Sequence, residues 1–179
     1  MQRPLVFTRA IRESCFVTRL ARRLPGTILI EVTERQPAAL VALGDTFLAT
    51  AEGEPFKRLE PEDPVDLPLI TGLRADALSE DREGTMRTIR AGSYLAAEYE
   101  HGALGHRAPL EEVHVDTDGT FSVLVGRGAM QLVLGAPPFR RKLDQAARVV
   151  AELERRGAKA DSIMLDNDAK PERVVVRMR

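Results

Sequence analysis

The sequence has 179 residues, 44% of them apolar and 30% charged, which is enough for one medium domain or two small ones. Its 26 basic and 27 acidic residues nearly cancel, and a net charge of -1 excludes bulk attraction to nucleic acid or to an acidic membrane surface. Cys15 is the only cysteine, which excludes an internal disulfide and a cysteine-cluster metal site.

The first 36 residues have the patterns of one helix and one hairpin. Apolar residues interleave with arginines over residues 5–14, which predicts a short helix. Two β-rich runs follow, at residues 16–24 and 27–33, and Pro25-Gly26 between them favours a tight turn. A unit of about 35 residues buries too little surface to stand alone. We therefore expect further elements of this module to lie outside the sequence.

The middle of the chain is predicted to hold short strands and then a helix. Residues 38–43 and 46–51 are two strand-like runs separated by a glycine-containing turn. Two prolines and several acids in residues 59–66 exclude a helix or a central strand, so this segment is predicted to follow the surface. Residues 79–101 have the composition of a helix, which two glycines weaken.

The C-terminal part carries the clearest patterns. Alternating apolar residues between positions 113 and 134, interrupted by two turns, predict a three-stranded meander. A helix is predicted from Pro137-Pro138 to a stop at Gly157, because its apolar residues form one stripe. The stripe residues are Phe139, Leu143, Ala146, Val150 and Leu153. Two closing strands are predicted at residues 162–165 and 173–178.

A metal site can be drawn from the histidines and aspartates in the middle of the chain, but their pattern does not favour one. The spacing of His101, His106 and His114 fits no pair on a helix face. Asp116 and Asp118 are already explained as turn residues. The glycine-rich turns also lack the strand and helix that flank a phosphate-binding loop. We expect neither a metal nor a cofactor.

No pattern of catalytic residues is present either. Carboxylate groups such as Glu60, Glu62 and Asp63 lie in an acidic run that is predicted to be solvated, with no apolar pocket to tune them for acid–base chemistry. The serines occur in no nucleophile-elbow pattern, and Cys15 has no adjacent histidine. The sequence therefore predicts a protein that is not an enzyme.

Several landmarks, in their order along the chain, resemble the FtsQ/DivIB family of bacterial cell-division proteins. Leu24-Pro25 at the hairpin, the strand end EVTER at residues 31–35, and Pro37-Ala38 resemble the family's junction between a POTRA module and a β domain. The run LPLITG at residues 67–72 is similar to the family's LP-x-(I/L)-x-G element. The predicted helix at Phe139 and the closing strand pair are similar to its C-terminal layout.

The resemblance implies an α+β fold in two parts. Residues 1–36 would be the C-terminal part of an incomplete POTRA module, a helix plus a β-hairpin. Residues 37–179 would be a mixed, mostly antiparallel β-sheet domain with two flanking helices. Full family members also have a cytoplasmic tail and one membrane helix, which we expect outside this sequence. The implied location is the periplasmic face of the bacterial inner membrane, at the division septum.

The resemblance also implies a non-catalytic scaffold of the divisome. The C-terminal strand would dock FtsB, which pairs with FtsL, by strand addition at a sheet edge, and the POTRA module would contact other division proteins. No binding to nucleic acid is expected. Contact with the membrane is expected only through a segment absent from this chain. By position the partner-binding residues are Glu172, Arg173, Val174, Val175, Val176, Arg177 and Met178. Within this strand, Val174, Val176 and Met178 are predicted to face the core.

The residues alone leave other functions open. The same strand could simply close the domain. A POTRA-containing outer-membrane assembly or secretion factor would need tandem POTRA modules or a following barrel. A cytosolic domain that binds a small ligand or RNA would need an apolar pocket or a basic aromatic face. An enzyme site assembled from distant residues would need a close pair of perturbed titratable groups in a cleft.

Overall fold

The computed structural model describes residues 15–23, 26–63, 65–167 and 169–179. The helix predicted at residues 5–14 lies outside these ranges. Strands β1 (Cys15–Arg23) and β2 (Thr27–Glu34) pair antiparallel, which confirms the predicted hairpin. They form a two-stranded sheet of their own, and within the described ranges neither strand pairs with the rest of the chain.

The remaining strands form one nine-stranded sheet in the order β11-β10-β9-β8-β7-β6-β3-β4-β5. Its strands are β3 (Ala39–Leu43), β4 (Asp45–Ala49), β5 (Pro55–Arg58), β6 (Leu69–Thr71), β7 (Leu110–Val115), β8 (Phe121–Val125), β9 (Met130–Gly135), β10 (Ala160–Met164) and β11 (Val175–Met178). The pairs β3–β6, β6–β7 and β9–β10 are parallel, and the others are antiparallel. A mixed, mostly antiparallel sheet was predicted and is confirmed.

Three helices are described: α1 (Ala77–Glu80), α2 (Arg82–His101) and α3 (Arg140–Arg155). Because parallel neighbours need a crossover, α1 and α2 lie between β6 and β7, and α3 lies between β9 and β10. The short α1 was not predicted. The predicted helix begins only at Arg82, since the Asp81 carboxylate caps it by accepting a hydrogen bond from the Gly84 amide at 2.8 Å.

Both long helices cover the same face of the sheet. Helix α2 packs against β6 and β7, α3 packs against β9, and the two helices contact each other. Gly92 brings α2 close to the sheet, because a Cβ atom there would lie 3.1 Å from Ile70 Cδ1. Below α3, the rings of Phe121 and Phe139 meet edge to face with their centroids 5.3 Å apart. We call the other side of the sheet, which no described helix covers, the open face.

The predicted surface segment at residues 59–66 has no regular structure in its described part. Asp63, however, is not solvated, which corrects the prediction for this residue. Its carboxylate accepts hydrogen bonds from Lys57 Nζ at 2.7 and 2.9 Å, and each of the two side chains is only 14% exposed. This bond lowers the pKa of Asp63 and raises the pKa of Lys57. The pair fastens the surface segment to strand β5.

Among the described helices, none is long and apolar enough to cross a membrane.

Candidate functional site

The nine-stranded sheet has two edges, and the β5 edge is poorly suited to accept another strand. Strand β5 begins at Pro55, which has no amide hydrogen to donate. Its Lys57 is held by Asp63, and the guanidinium of Arg35 lies 5.8 Å from the centre of the Phe56 ring. Proline and charged side chains are common devices by which natural sheets protect an edge.

Strand β11 is the opposite edge, and two hydrogen bonds show which way its backbone points. The Leu165 amide donates to Val133 O on β9 at 2.8 Å, so the backbone groups of the preceding Met164 face β11, where its partner is Val175. The Arg179 amide donates to Lys159 O at 3.0 Å, also toward β10. Since these directions alternate along a strand, Val176 and Met178 point their N–H and C=O groups away from the sheet.

The side chains of β11 alternate as predicted over most of its length. Val174 and Val176 pack against the core cluster, whereas Val175 is 49% exposed and Arg177 is exposed. The prediction that Met178 faces the core is wrong, because it is 51% exposed. Glu172 and Arg173 lie in the turn and segment before β11, and both are exposed.

A groove of about 540 Å³ runs between α3 and β11. We call it the α3–β11 groove. Val149 and Leu153 of α3 line it opposite Val174 and Val176. Its polar lining residues are Gln145, Arg148, Glu152, Arg156 and Glu172. The apolar wall of the groove can hold the side chains of a segment that lies along β11. The outward backbone groups of β11 and a binding site for side chains are therefore adjacent.

The histidines and aspartates that were considered as a metal site make separate local contacts. His101 Nδ1 lies 2.7 Å from Ala97 O, and His114 Nδ1 lies 2.8 Å from Thr71 Oγ1. Asp118 accepts two hydrogen bonds from Thr120 in the β7–β8 turn. In the part of the chain that the structure describes, no three His, Cys, Asp or Glu residues are grouped closely enough to hold a metal ion.

The sequence did not indicate several residues beside β11. Val149 and Leu153 belong to a helix whose stripe was predicted, but the strand that they face could not be read from that stripe. Met164 on β10 is 42% exposed beside Val175, because β10 and β11 pair in this register. These contacts join residues that are not neighbours in the chain, so hydrophobic periodicity carries no signal for them.

Comparison with known proteins relates this chain to a family. Residues 39–168 match the family model described as "Cell division protein FtsQ/DivIB, C-terminal". The chain is similar to "Cell division protein FtsQ" of Myxococcus fulvus, with 35% identity over 89% of this chain and 55% of the relative. It is also similar to proteins of that name from Anaeromyxobacter sp., with 34% identity over 88% of this chain and 53% of the relative, and from Geotalea daltonii, with 29% identity over 83% and 54%. The chain spans about half the length of these curated relatives.

The sheet, its helices and these matches define a bacterial cell-division protein. The chain belongs to the FtsQ/DivIB family, and its match covers most of the nine-stranded sheet domain. The family is one of non-catalytic division proteins. The resemblance noted from the junction, the LPLITG run and the C-terminal layout is thereby confirmed.

Proposed function

We propose that this chain is part of a divisome scaffold that binds an FtsB-type partner, itself paired with an FtsL-type protein, by strand addition at β11. The observation that carries the proposal is the outer side of β11, which pairs with no other described strand and where Val176 and Met178 direct their backbone groups outward. The other edge, β5, is protected by Pro55 and by the Lys57–Asp63 pair. Membership in a cell-division family supports the choice of partner.

The energetics favour an edge over a flat surface for this purpose. A guest strand would satisfy amide and carbonyl groups that otherwise bond only to water, and each such hydrogen bond contributes about 1 kcal/mol net. Every second side chain of the guest would point toward the α3–β11 groove, and apolar side chains there would bury against Val149 and Val174. The backbone would supply affinity and the groove would supply selectivity.

The rest of the proposal concerns the whole protein. The relatives are about twice as long as the matched region, and the whole protein would be anchored in the inner membrane. The β domain would then stand on the periplasmic face at the septum. The β1–β2 hairpin would belong to a POTRA-like module ending near residue 36, through which other division proteins could be contacted.

Proline substitution in β11 tests the edge directly. Met178→Pro removes an outward amide at a residue that is 51% exposed. It should weaken binding of the FtsB-type partner from the same organism by about tenfold, measured by calorimetry, with the melting temperature nearly unchanged. Met178→Ala keeps the amide and is the matched control, which should bind nearly as the parent does.

The inner side of the same strand provides a contrast. Val175→Pro removes an amide that faces β10, so this variant should lose stability as well as binding. Binding of Met178→Pro with parental affinity would show that the partner does not pair with β11.

A further inference from the structure

A cleft of about 340 Å³ lies where the end of α2 meets the beginning of α3. Its volume is within the range of small-molecule sites in proteins. The buried side chains of Tyr99, Leu104 and Leu143 form its apolar part. None of its lining residues also lines the α3–β11 groove, so the two depressions are separate.

Glu98 lines this cleft and has a buried carboxylate oxygen that lacks a hydrogen-bond donor. Its Oε1 atom accepts a hydrogen bond from the Tyr94 hydroxyl at 2.9 Å, which holds the carboxylate in place. Its Oε2 atom is buried, and within the described ranges it has no hydrogen-bond partner. Buried polar atoms nearly always have a partner, and leaving a charged group without one is costly. The position beside Oε2 therefore favours a ligand that brings an N–H donor.

Helix α3 contributes two further charged side chains to the cleft, Arg140 and Asp144. Both are exposed, and among the described residues neither side chain has a hydrogen bond or an ion pair. His101 also lines the cleft, but its Nδ1 atom is already engaged with Ala97 O at 2.7 Å. The cleft therefore presents two carboxylates and one guanidinium group to a ligand.

We propose that this cleft binds a small zwitterion, an α-amino acid with a short aliphatic side chain. The ammonium group donates to Glu98 Oε2, and Asp144 adds negative potential on the same side. The carboxylate pairs with Arg140, and the aliphatic part packs against Leu104 and Leu143. This inference goes beyond the proposed scaffold function, because it concerns neither β11 nor its partner.

The charges of the cleft favour a zwitterion over simpler ligands. A cation alone would leave the guanidinium of Arg140 without a partner, and an anion alone would leave Glu98 Oε2 without a donor. A metal ion fits less well, because in the described part of the chain no three His, Cys, Asp or Glu residues are grouped closely enough to hold one. A ligand that carries both charges satisfies groups from α2 and from α3 at once.

Titration of the 179-residue chain with L-valine, followed by amide NMR shifts, tests the inference. Valine should shift the amides of Gly102 and Ala103, which line the cleft, and the shifts should saturate in the millimolar range. Isobutylamine lacks the carboxylate of valine, and isovalerate lacks its ammonium group. Each should bind at least about tenfold more weakly than valine, because each loses one charged contact.

Two substitutions assign the two charged contacts separately. Glu98→Gln should weaken valine and isobutylamine by about tenfold and leave isovalerate unchanged, whereas Arg140→Gln should weaken valine and isovalerate and leave isobutylamine unchanged. Glu100→Gln and Arg141→Gln are the matched controls, because they make the same changes at exposed side chains of α2 and α3 that do not line the cleft. Both controls should bind valine with parental affinity, and the amide spectrum of each variant reports whether its fold is retained. The inference is overturned if valine causes no saturable shifts in the parent chain, or if a folded Glu98→Gln variant binds valine as the parent does.

Discussion

At the residue scale, Gly53 shows how one position fixes the distance between a turn and a helix. Its φ is +84°, and a Cβ atom there would lie 2.1 Å from Met86 O and 2.8 Å from the Arg90 amide nitrogen of α2. Gly53→Ala should therefore lower the free energy of unfolding by roughly 2–4 kcal/mol, from backbone strain together with the clash.

The matched control for this change is Gly119→Ala. Gly119 has nearly the same φ, +83°, but no atom within 4 Å of the added Cβ. It should cost only the strain, about 1 kcal/mol, in the same denaturant titration. Equal losses in the two variants would show that the contact with α2 is unimportant.

Tyr99 is a second residue whose surroundings have a measurable consequence. Its side chain is buried, its hydroxyl donates to Ala108 O at 3.0 Å, and burial raises its pKa from 10.0 to about 12. Because the pKa of Tyr99 is raised in the folded state, the stability that depends on its protonated hydroxyl is complete below pH 10. This stability is lost as the pH rises through about 12. Ultraviolet titration should show a late tyrosinate transition.

That transition should be absent in Tyr99→Phe, which also loses about 1 kcal/mol of stability with its hydrogen bond. Tyr94 is 58% exposed and serves as the internal reference, although its hydrogen bond to Glu98 raises its pKa as well. A late transition that persists in Tyr99→Phe would assign it to Tyr94 instead.

At the element scale, the sequence predicted those elements whose signal is local. The stripe that begins at Phe139 indicated α3, and alternation indicated the β7–β8–β9 meander. The short elements α1 and β6, of four and three residues, are too brief to show a period. The parallel pairing of β6 with β3 and β7 depends on contacts between distant parts of the chain, which no local pattern records.

The candidate site divides in the same way. The strand at residues 173–178 was predicted from its residue pattern, and alternation correctly separated Val174 and Val176 from Val175 and Arg177. Exposure of Met178 could not be predicted from the alternation, which puts it on the same face as Val174 and Val176. The outward direction of the backbone groups follows only from the hydrogen bonds of Leu165 and Arg179.

The end of α3 carries an ion cluster whose titration can be followed. Hydrogen bonds from Arg155 and Arg156 lower the pKa of Glu152 from 4.5 to about 2. Because the pKa of Glu152 is lowered in the folded state, its hydrogen bonds with Arg155 and Arg156 stabilise the fold above pH 4.5. This stabilisation is lost as the pH falls to about 2. Glu152 also lines the α3–β11 groove, and because its pKa is lowered it is ionised at neutral pH.

Carboxyl NMR shifts should therefore give Glu152 a midpoint near pH 2. Arg155→Ala should raise this midpoint most, because its hydrogen bond is the largest cause, and Arg156→Ala should raise it less. A midpoint near 4.5 in the parent chain would mean that the cluster does not persist in solution.

At the scale of the whole molecule, the sheet separates two kinds of surface. Both long helices lie on one face, and among the described residues no helix covers the open face and no strand pairs with the outer side of β11. Strand β5 lies at the other end of the nine-stranded order, and Arg35, which follows the hairpin, contacts Phe56 of this strand. A partner bound along β11 would therefore be separated from Arg35, the residue that follows β2, by the width of the sheet.

This arrangement predicts that residues 37–179 fold without the preceding part. Among the described residues, every member of the buried core cluster lies at Ala39 or later. Contacts that join the hairpin side to the sheet include an ion pair between Arg35 and Glu54 at 3.7 Å and the Arg35–Phe56 contact. Partly exposed contacts of these kinds are each worth about 1 kcal/mol or less.

The truncated chain should accordingly unfold in one cooperative transition, with a free energy within about 2 kcal/mol of the parent. It should also bind the FtsB-type partner with parental affinity, because β11 and the α3–β11 groove are intact. Removal of residues 174–179 is the matched control, since it uncovers the core contacts of Val174 and Val176 and deletes the edge. If the 37–179 fragment is unfolded, the hairpin belongs to the same folding unit as the sheet, and the domain boundary lies closer to the N-terminus.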